Sequence, residues 1–395
     1  MGARPAPVPP AAAPLRSHMT LPDLTFLLVL ALAFANGTND VSKAIATLVG
    51  SGITQYRTAI LWGTLWTMAG AATATLVAGA MVKTFSSGLL QTGSPLSPTI
   101  GLAILFGAMA WVLLASRTGL PVSTTHALTG AILGAGLVAF SGEGILWHAI
   151  GTKIALPLLL SPMLAFALSM LLHPAIRRVA EKWDGHCLCV MPASQALVTI
   201  DAQGSTRTLF QGAGFGRPVL AVPSQCDRAR LQGLVVGLDT VHWISSGLTS
   251  FARGVTDAPK IVAMLLLGSA TSTWPNRSAQ LVVFGGVAVA MGLGSYFGGL
   301  RVTKVLAEDV TRMDHAEGLS ANLTTSSLVL IAGTFGVPVS TTHVSSSAII
   351  GIGLLRGLTT IRWTTVRDMV LAWIVTLPAS ALLAGAAYFI LSSFS

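Results

Sequence analysis

Long apolar stretches dominate the chain, and short polar clusters punctuate them. Apolar runs fall at 21–32, 58–81, 100–115, 127–140, 154–172, 231–268, 279–300, 327–354 and 369–391. The longer ones reach the roughly 20 residues that a membrane-spanning helix needs. Gly, Pro or a single charge interrupts others. The pattern predicts an all-α polytopic membrane protein of about 10–12 transmembrane segments (five or more per half), the lipid bilayer being its solvent.

Composition agrees. Of 395 residues, 52% are hydrophobic and 9% charged, and the mean hydropathy is +0.73. A soluble domain carries about 25% charged residues. The net charge of +9 does not indicate nucleic acid, because the basic residues stand singly between apolar runs. Residues 1–20 form a Pro/Ala-rich tail expected to be disordered. Met1 and Met19 are alternative starts. Cys187 and Cys189 follow His186 in a spacing unlike that of zinc pairs and read as ordinary loop cysteines.

The polar clusters repeat. Phe34, Ala35, Gly37, Asp40 and Lys43 recur as Phe251, Ala252, Gly254, Asp257 and Lys260, each displaced by 217 positions. Gly119, followed by Leu-Pro-Val-Ser-Thr-Thr-His126, recurs at the same displacement as Gly336 to His343. Asp and His lie 86 residues apart in both copies, which marks a tandem duplication. The halves are 21–173 and 231–395, joined by a polar segment, 174–230, read as a linker with short β-like runs. Five spans per half place fifteen basic residues on one side and five on the other. That asymmetry puts 174–230 in the cytoplasm and turns the second half over relative to the first. The expected architecture is two inverted repeats with a site between them near the bilayer midplane.

Asp40, Lys43, Arg253, Asp257 and Lys260 sit in or beside apolar runs. A charge at bilayer depth costs about 2.5–3.5 kcal/mol on insertion scales, so it needs a partner or a wet cavity. Self-neutralising i,i+3 ion pairs explain the charges without a site. Their recurrence in both halves favours a shared one. Gly37 and Gly254 allow close backbone approach or a helix break. In each Pro-Val-Ser-Thr-Thr-His element, proline suits the first helical position, with hydroxyls just behind it beside free N–H groups. Each element thus reads as a re-entrant half-helix whose N-terminus opens inside the bilayer and attracts anions. Ser123, Thr124, Thr125, Ser340, Thr341 and Thr342 would ring one oxyanion. Helix capping alone is the plainer explanation. His126 and His343 are expected to make structural hydrogen bonds, and His148, His173 and His242 carry no role.

Over nearly the whole chain outside the tail and central segment, these elements resemble the inorganic phosphate transporter (PiT) family. Gly37-Thr-Asn39-Asp40 keeps the family's Gly-x-Asn-Asp element, Gly254-Val-Thr256-Asp257 alters it, and Pro-x-Ser-Thr-Thr-His occurs twice unchanged. The resemblance implies a secondary transporter of the plasma (inner) membrane that carries inorganic phosphate by sodium or proton symport. It implies no catalysis and no cofactor beyond the coupling ion, and leaves a homodimer open. It places substrate at Asn39, Asp40, Lys43, Thr256, Asp257 and Lys260 together with the six hydroxyls, and sodium near Asp40 and Asp257. Thr256 and Lys43 stand where the family usually or often has Asn, and Arg253 adds a cation. The added charge suits a more charged anion or replaces a coupling cation. The alternatives are another oxyanion such as sulfate, a channel, or an intramembrane hydrolase, which no Gly-x-Ser-x-Gly or His-Glu-x-x-His motif supports.

The orientation makes a direct prediction. Cys187, Cys189 and Cys226 should react with an impermeant thiol reagent only after cells are permeabilised. Labelling from outside intact cells overturns the topology of both halves.

Overall fold

The computed structural model describes residues 20–91, 96–183, 187–191, 196–200, 206–210, 217–221, 234–267, 274 and 276–394. The expected disordered tail and both candidate starts lie outside them. The first half comprises α1 (Leu21–Asp40), α2 (Ser42–Gly50), α3 (Tyr56–Thr73), α4 (Gly79–Ser87), α5 (Pro98–Thr118), α6 (Thr124–Phe140) and α7 (Leu156–Trp183). The second comprises α8 (Leu238–Leu267), α9 (Arg277–Gly298), α10 (Leu300–Lys304), α11 (His315–Thr334), α12 (Thr341–Leu355) and α13 (Trp363–Ser392). The 217-residue displacement carries Leu21 onto Leu238, Pro98 onto His315 and Thr124 onto Thr341, so three pairs of helices start in register.

Local chemistry sets these ends. The Asp23 carboxylate accepts from the Thr20 N–H at 2.9 Å and from its hydroxyl at 2.6 Å, opening α1. Asp314 and Glu317 close a reciprocal capping box on α11, each backbone N–H donating to the other's carboxylate at 2.8 Å. Gly119 (φ 79°) ends α5 and Gly336 (φ 67°) follows α11, both in the left-handed region where a side chain is strained. The second of these turns splits the apolar run at 327–354 into the end of α11 and nearly all of α12.

Among the described residues, five helices are long and apolar enough to cross a membrane, and the pair Tyr56–Leu76 and Gly79–Ser87, bent by 83°, makes a sixth. The expected ten to twelve segments are therefore of different kinds. α8 and α11 have 30 and 20 residues but carry polar inner faces. α6 and α12, with 17 and 15 residues, are shorter than the bilayer's hydrocarbon core of roughly 30 Å at 1.5 Å per residue. α7 runs through Pro174 to Trp183, moving the first half's end ten residues beyond the expected one. Beyond it, the segment read as a linker holds β1 (Cys187–Met191), paired antiparallel with β4 (Arg217–Ala221) and with β5 (Leu234–Val236), which lies just past the expected end of that segment, and a hairpin of β2 (Ala196–Ile200) and β3 (Thr206–Phe210).

Packing is reciprocal between halves. α1 packs on α9 and α8 on α3; α6 packs on α13 and α12 on α7. Exchanges of this kind are what a pseudo-two-fold relation produces. Large apolar side chains point outward, with Leu159 68%, Met163 69% and Leu382 75% exposed, while Ser, Thr, Asn and the paired charges are inside. That inversion of the soluble pattern suits lipid as solvent. Glycine permits the close crossings. A Cβ on Gly37 would lie 2.1 Å from the Met291 carbonyl oxygen, one on Gly254 2.4 Å from that of Thr67, and one on Gly134 1.9 Å from that of Ala381. Of the two roles expected of Gly37 and Gly254, close approach is the one observed.

Overpacking a fitted interior costs about 1–3 kcal/mol. Gly134→Val should lower the thermal unfolding temperature of the purified protein by several degrees. Gly285→Ala, where an added Cβ meets nothing within 4 Å, should leave it unchanged or slightly raised. Equal melting of the two variants would show that α6 does not depend on this contact.

Candidate functional site

The buried charges meet where α1, α8 and the starts of α6 and α12 converge. The i,i+3 spacing puts Asp40 beside Lys43 and Asp257 beside Lys260 on their helices, and both pairs form, the second at 2.9 Å. All four side chains are at most 3% exposed. Asn36 joins them. Its Nδ2 group donates to Asp40 Oδ2 at 2.8 Å, Asp257 Oδ2 at 3.2 Å and Thr124 Oγ1 at 2.9 Å. Each carboxylate thus gives Oδ1 to its lysine and Oδ2 to the same amide, so the two pairs form one network.

The half-helix starts are tied to each other. Thr125 Oγ1 donates to the Val339 carbonyl at 3.4 Å and Thr342 Oγ1 to the Val122 carbonyl at 2.7 Å, a matched exchange between the copies. Lys260 Nζ reaches across to Thr125 Oγ1 at 2.9 Å and the Val339 carbonyl at 3.3 Å. Thr124 Oγ1 donates to Asp40 Oδ2 at 3.3 Å. Thr341, its counterpart, makes no side-chain hydrogen bond among the described residues and is buried.

Several expected roles change. Pro121 and Pro338 are not first helical residues; each lies outside the helix, two positions before the cap. Ser123 and Ser340 are the caps, accepting from the His126 and His343 N–H groups at 3.2 Å. Asn39 braces the entry to α6, donating to Ser116 Oγ and the Leu120 carbonyl and accepting from the Val122 N–H at 3.1 Å. Thr256, its counterpart, donates only to carbonyls of its own helix, at Ala252 and Arg253. The hydrogen bonds expected of the His126 and His343 rings are not complete. His126 Nδ1 and His343 Nε2 are buried without partners among the described residues, and the rings meet with centroids 4.5 Å apart and planes tilted by 41°.

Arg253 stands one turn before Asp257 and is 1% exposed. Its Nη2 donates to Thr67 Oγ1 at 2.6 Å and Ser295 Oγ at 3.3 Å, while Nε and Nη1 have no partner among the described residues. Asn36, Thr67 and Ser295 are the members that motif reading missed. Asn36 carried a signal: it lies four residues before Asp40, on the same helix face, at the position that holds Arg253 in the second copy.

Apolar helices wrapped around a buried, charge-paired polar centre define a multi-pass membrane transport protein. The sequence profile of the phosphate transporter family matches residues 36–384, and the chain belongs to that family. It is 31% identical to the "Probable low-affinity inorganic phosphate transporter" of Bacillus subtilis (strain 168), over 93% of this chain and 97% of the relative. The identically named protein of Rhizobium meliloti (strain 1021) is 29% identical over 94% and 97%. Among solved structures, "The sodium-dependent phosphate transporter" superposes with a TM-score of 0.74 at 21% identity, covering 95% of this chain and all of that one. That likeness shows the fold.

The unequal threonines give a test. Thr341→Val should weaken phosphate binding by roughly 10-fold or more while leaving thermal stability intact, since a hydrogen bond to a charged group is worth about 1.5–3 kcal/mol. Thr124→Val should lower both, because its hydroxyl already serves Asp40. Unchanged affinity in both variants rejects a site at the half-helix starts.

Proposed function

We propose that the chain carries inorganic phosphate across the plasma membrane by cation-coupled symport, with sodium or a proton as the coupling ion. The observation that carries this reading is the balance of buried charge. Two carboxylates face three cations, and the third cation, Arg253, keeps two nitrogens, Nε and Nη1, without partners among the described residues. A buried charge left in that state is costly unless something completes it. An oxyanion with several acceptor oxygens does so, since guanidinium groups match phosphate geometry. The names of the relatives support phosphate in particular, and the half-helix starts supply further donors.

In this reading Asp40 and Asp257 organise the site by holding Lys43, Lys260 and Asn36. Thr124, Thr125, Thr341 and Thr342 line the half-helix starts, while Ser123, Ser340 and Asn39 fix the backbone geometry there. Thr256 acts from further out through its helix. The duplication supports alternating access, one inverted half rocking against the other around a fixed site.

Labelled phosphate should accumulate in proteoliposomes holding the protein when a sodium or a pH gradient is imposed, and excess sulfate should compete poorly. Asp40→Asn and Asp257→Asn should each abolish accumulation while the protein remains in the membrane. Full activity in either variant would reduce that pair to a structural ion pair. Stronger inhibition by sulfate than by unlabelled phosphate would reassign the substrate.

A further inference from the structure

We propose that the ammonium groups of Lys43 and Lys260 stand, as tethered cations, where coupling sodium ions would have to bind, so that this chain binds and moves phosphate without sodium. The inference rests on the phosphate reading above and sharpens its choice of coupling ion.

The two ammonium environments share one chemistry. Lys43 Nζ is held by the Asn39 main-chain oxygen at 2.8 Å, by Asn39 Oδ1 at 2.6 Å and by Asp40 Oδ1. Lys260 Nζ is held by Asp257 Oδ1 at 2.9 Å, by Thr125 Oγ1 at 2.9 Å and by the Val339 main-chain oxygen at 3.3 Å. Each set joins one carboxylate, one main-chain carbonyl and one neutral side-chain oxygen, the hard ligands a hard cation selects. An ammonium has three N–H donors, and here each finds an oxygen. The neighbours differ: Lys43, in α2, is served from the end of α1 just before it, and Lys260 partly from α6 and from the chain leading into α12. The outcome is nevertheless the same in both copies.

No carboxylate oxygen in the cluster is uncommitted. Oδ1 of each aspartate faces its lysine, and Oδ2 of each accepts from Asn36. The charge count points the same way. In this cluster three buried cations against two carboxylates leave a formal +1, located at Arg253, whose Nε and Nη1 lack partners among the described residues. A sodium ion would raise that excess in a region shielded from water, whereas an oxyanion removes it. Coupling also requires the cation to leave on the far side with the substrate, and a side chain cannot. The residues present therefore do not fit a coupling sodium.

The test uses the full-length protein in proteoliposomes and in detergent. Phosphate uptake and equilibrium phosphate binding are measured in sodium and in choline media of equal ionic strength, with an inward proton gradient supplied in the uptake assay. The expected result is uptake and affinity equal within about twofold in the two media. Lys43→Asn and Lys260→Asn each remove one ammonium and leave its oxygens. Their phosphate affinity should become sodium-dependent, higher in sodium than in choline by at least about tenfold. Wild-type uptake or affinity lower in choline by that factor overturns the inference, whatever the variants do. Well-folded variants, judged by cooperative thermal unfolding, that show no sodium response also overturn it. Wild-type protein that neither binds nor moves phosphate in either medium rejects the phosphate reading itself, a result distinct from sodium dependence.

Discussion

Charge buried among lipid-facing helices must be neutralised where it stands, and the centre of this protein is arranged around that requirement. Two aspartates, two lysines and an arginine would be prohibitive one at a time. They are tolerated because each lysine pairs with the aspartate three residues before it and one amide, Asn36, joins both carboxylates. Asn36 has two N–H groups and three acceptors within reach, so it works as a hinge pin between α1, α6 and α8. Because every carboxylate oxygen is committed, the unmet demand falls on Arg253, and from it follows the preference for an anion.

The exchange of hydroxyl-to-carbonyl bonds between the half-helix starts adds a second constraint. Thr125 and Thr342 each satisfy a main-chain oxygen of the opposite copy, at Val339 and Val122. Irregular backbone at membrane depth survives only when its polar groups are served from within the protein. Here each break in helical structure is completed by the other. The pair of breaks is thus stable as a pair.

Much of this was legible in the residues. The duplication, the pairing of Asp with Lys three positions on and the half-helices depend on local spacing, which the sequence displays directly. What stayed hidden depends on which side chain meets which across the fold. Nothing local shows that Thr67 and Ser295 hold Arg253, or that Asn36 reaches Asp257 on another helix. Pro121 fits the first turn of a helix by its own preference, yet Ser123, two residues on, takes the cap and leaves it outside. Thr256 could be recognised as a departure from the motif, but not as one that withdraws from the cluster altogether. The segments proved to be of different kinds because hydrophobic patterning weighs whole helices, and α8 and α11 bury many Ser, Thr and charged side chains within otherwise apolar runs.

The glycine crossings reach back into the protein's history. Gly134 on α6 fits the backbone of α13 at Ala381, and Gly351 on α12 fits that of α7 at Phe166, each contact joining one copy to the other. A chain of one copy held in this same arrangement would leave both faces uncovered. It could have buried them only against a second molecule of the same chain. Fusion of two such genes would then have made permanent an assembly that already existed, freeing the copies to diverge, as Asn36 and Arg253 have done at one ancestral position.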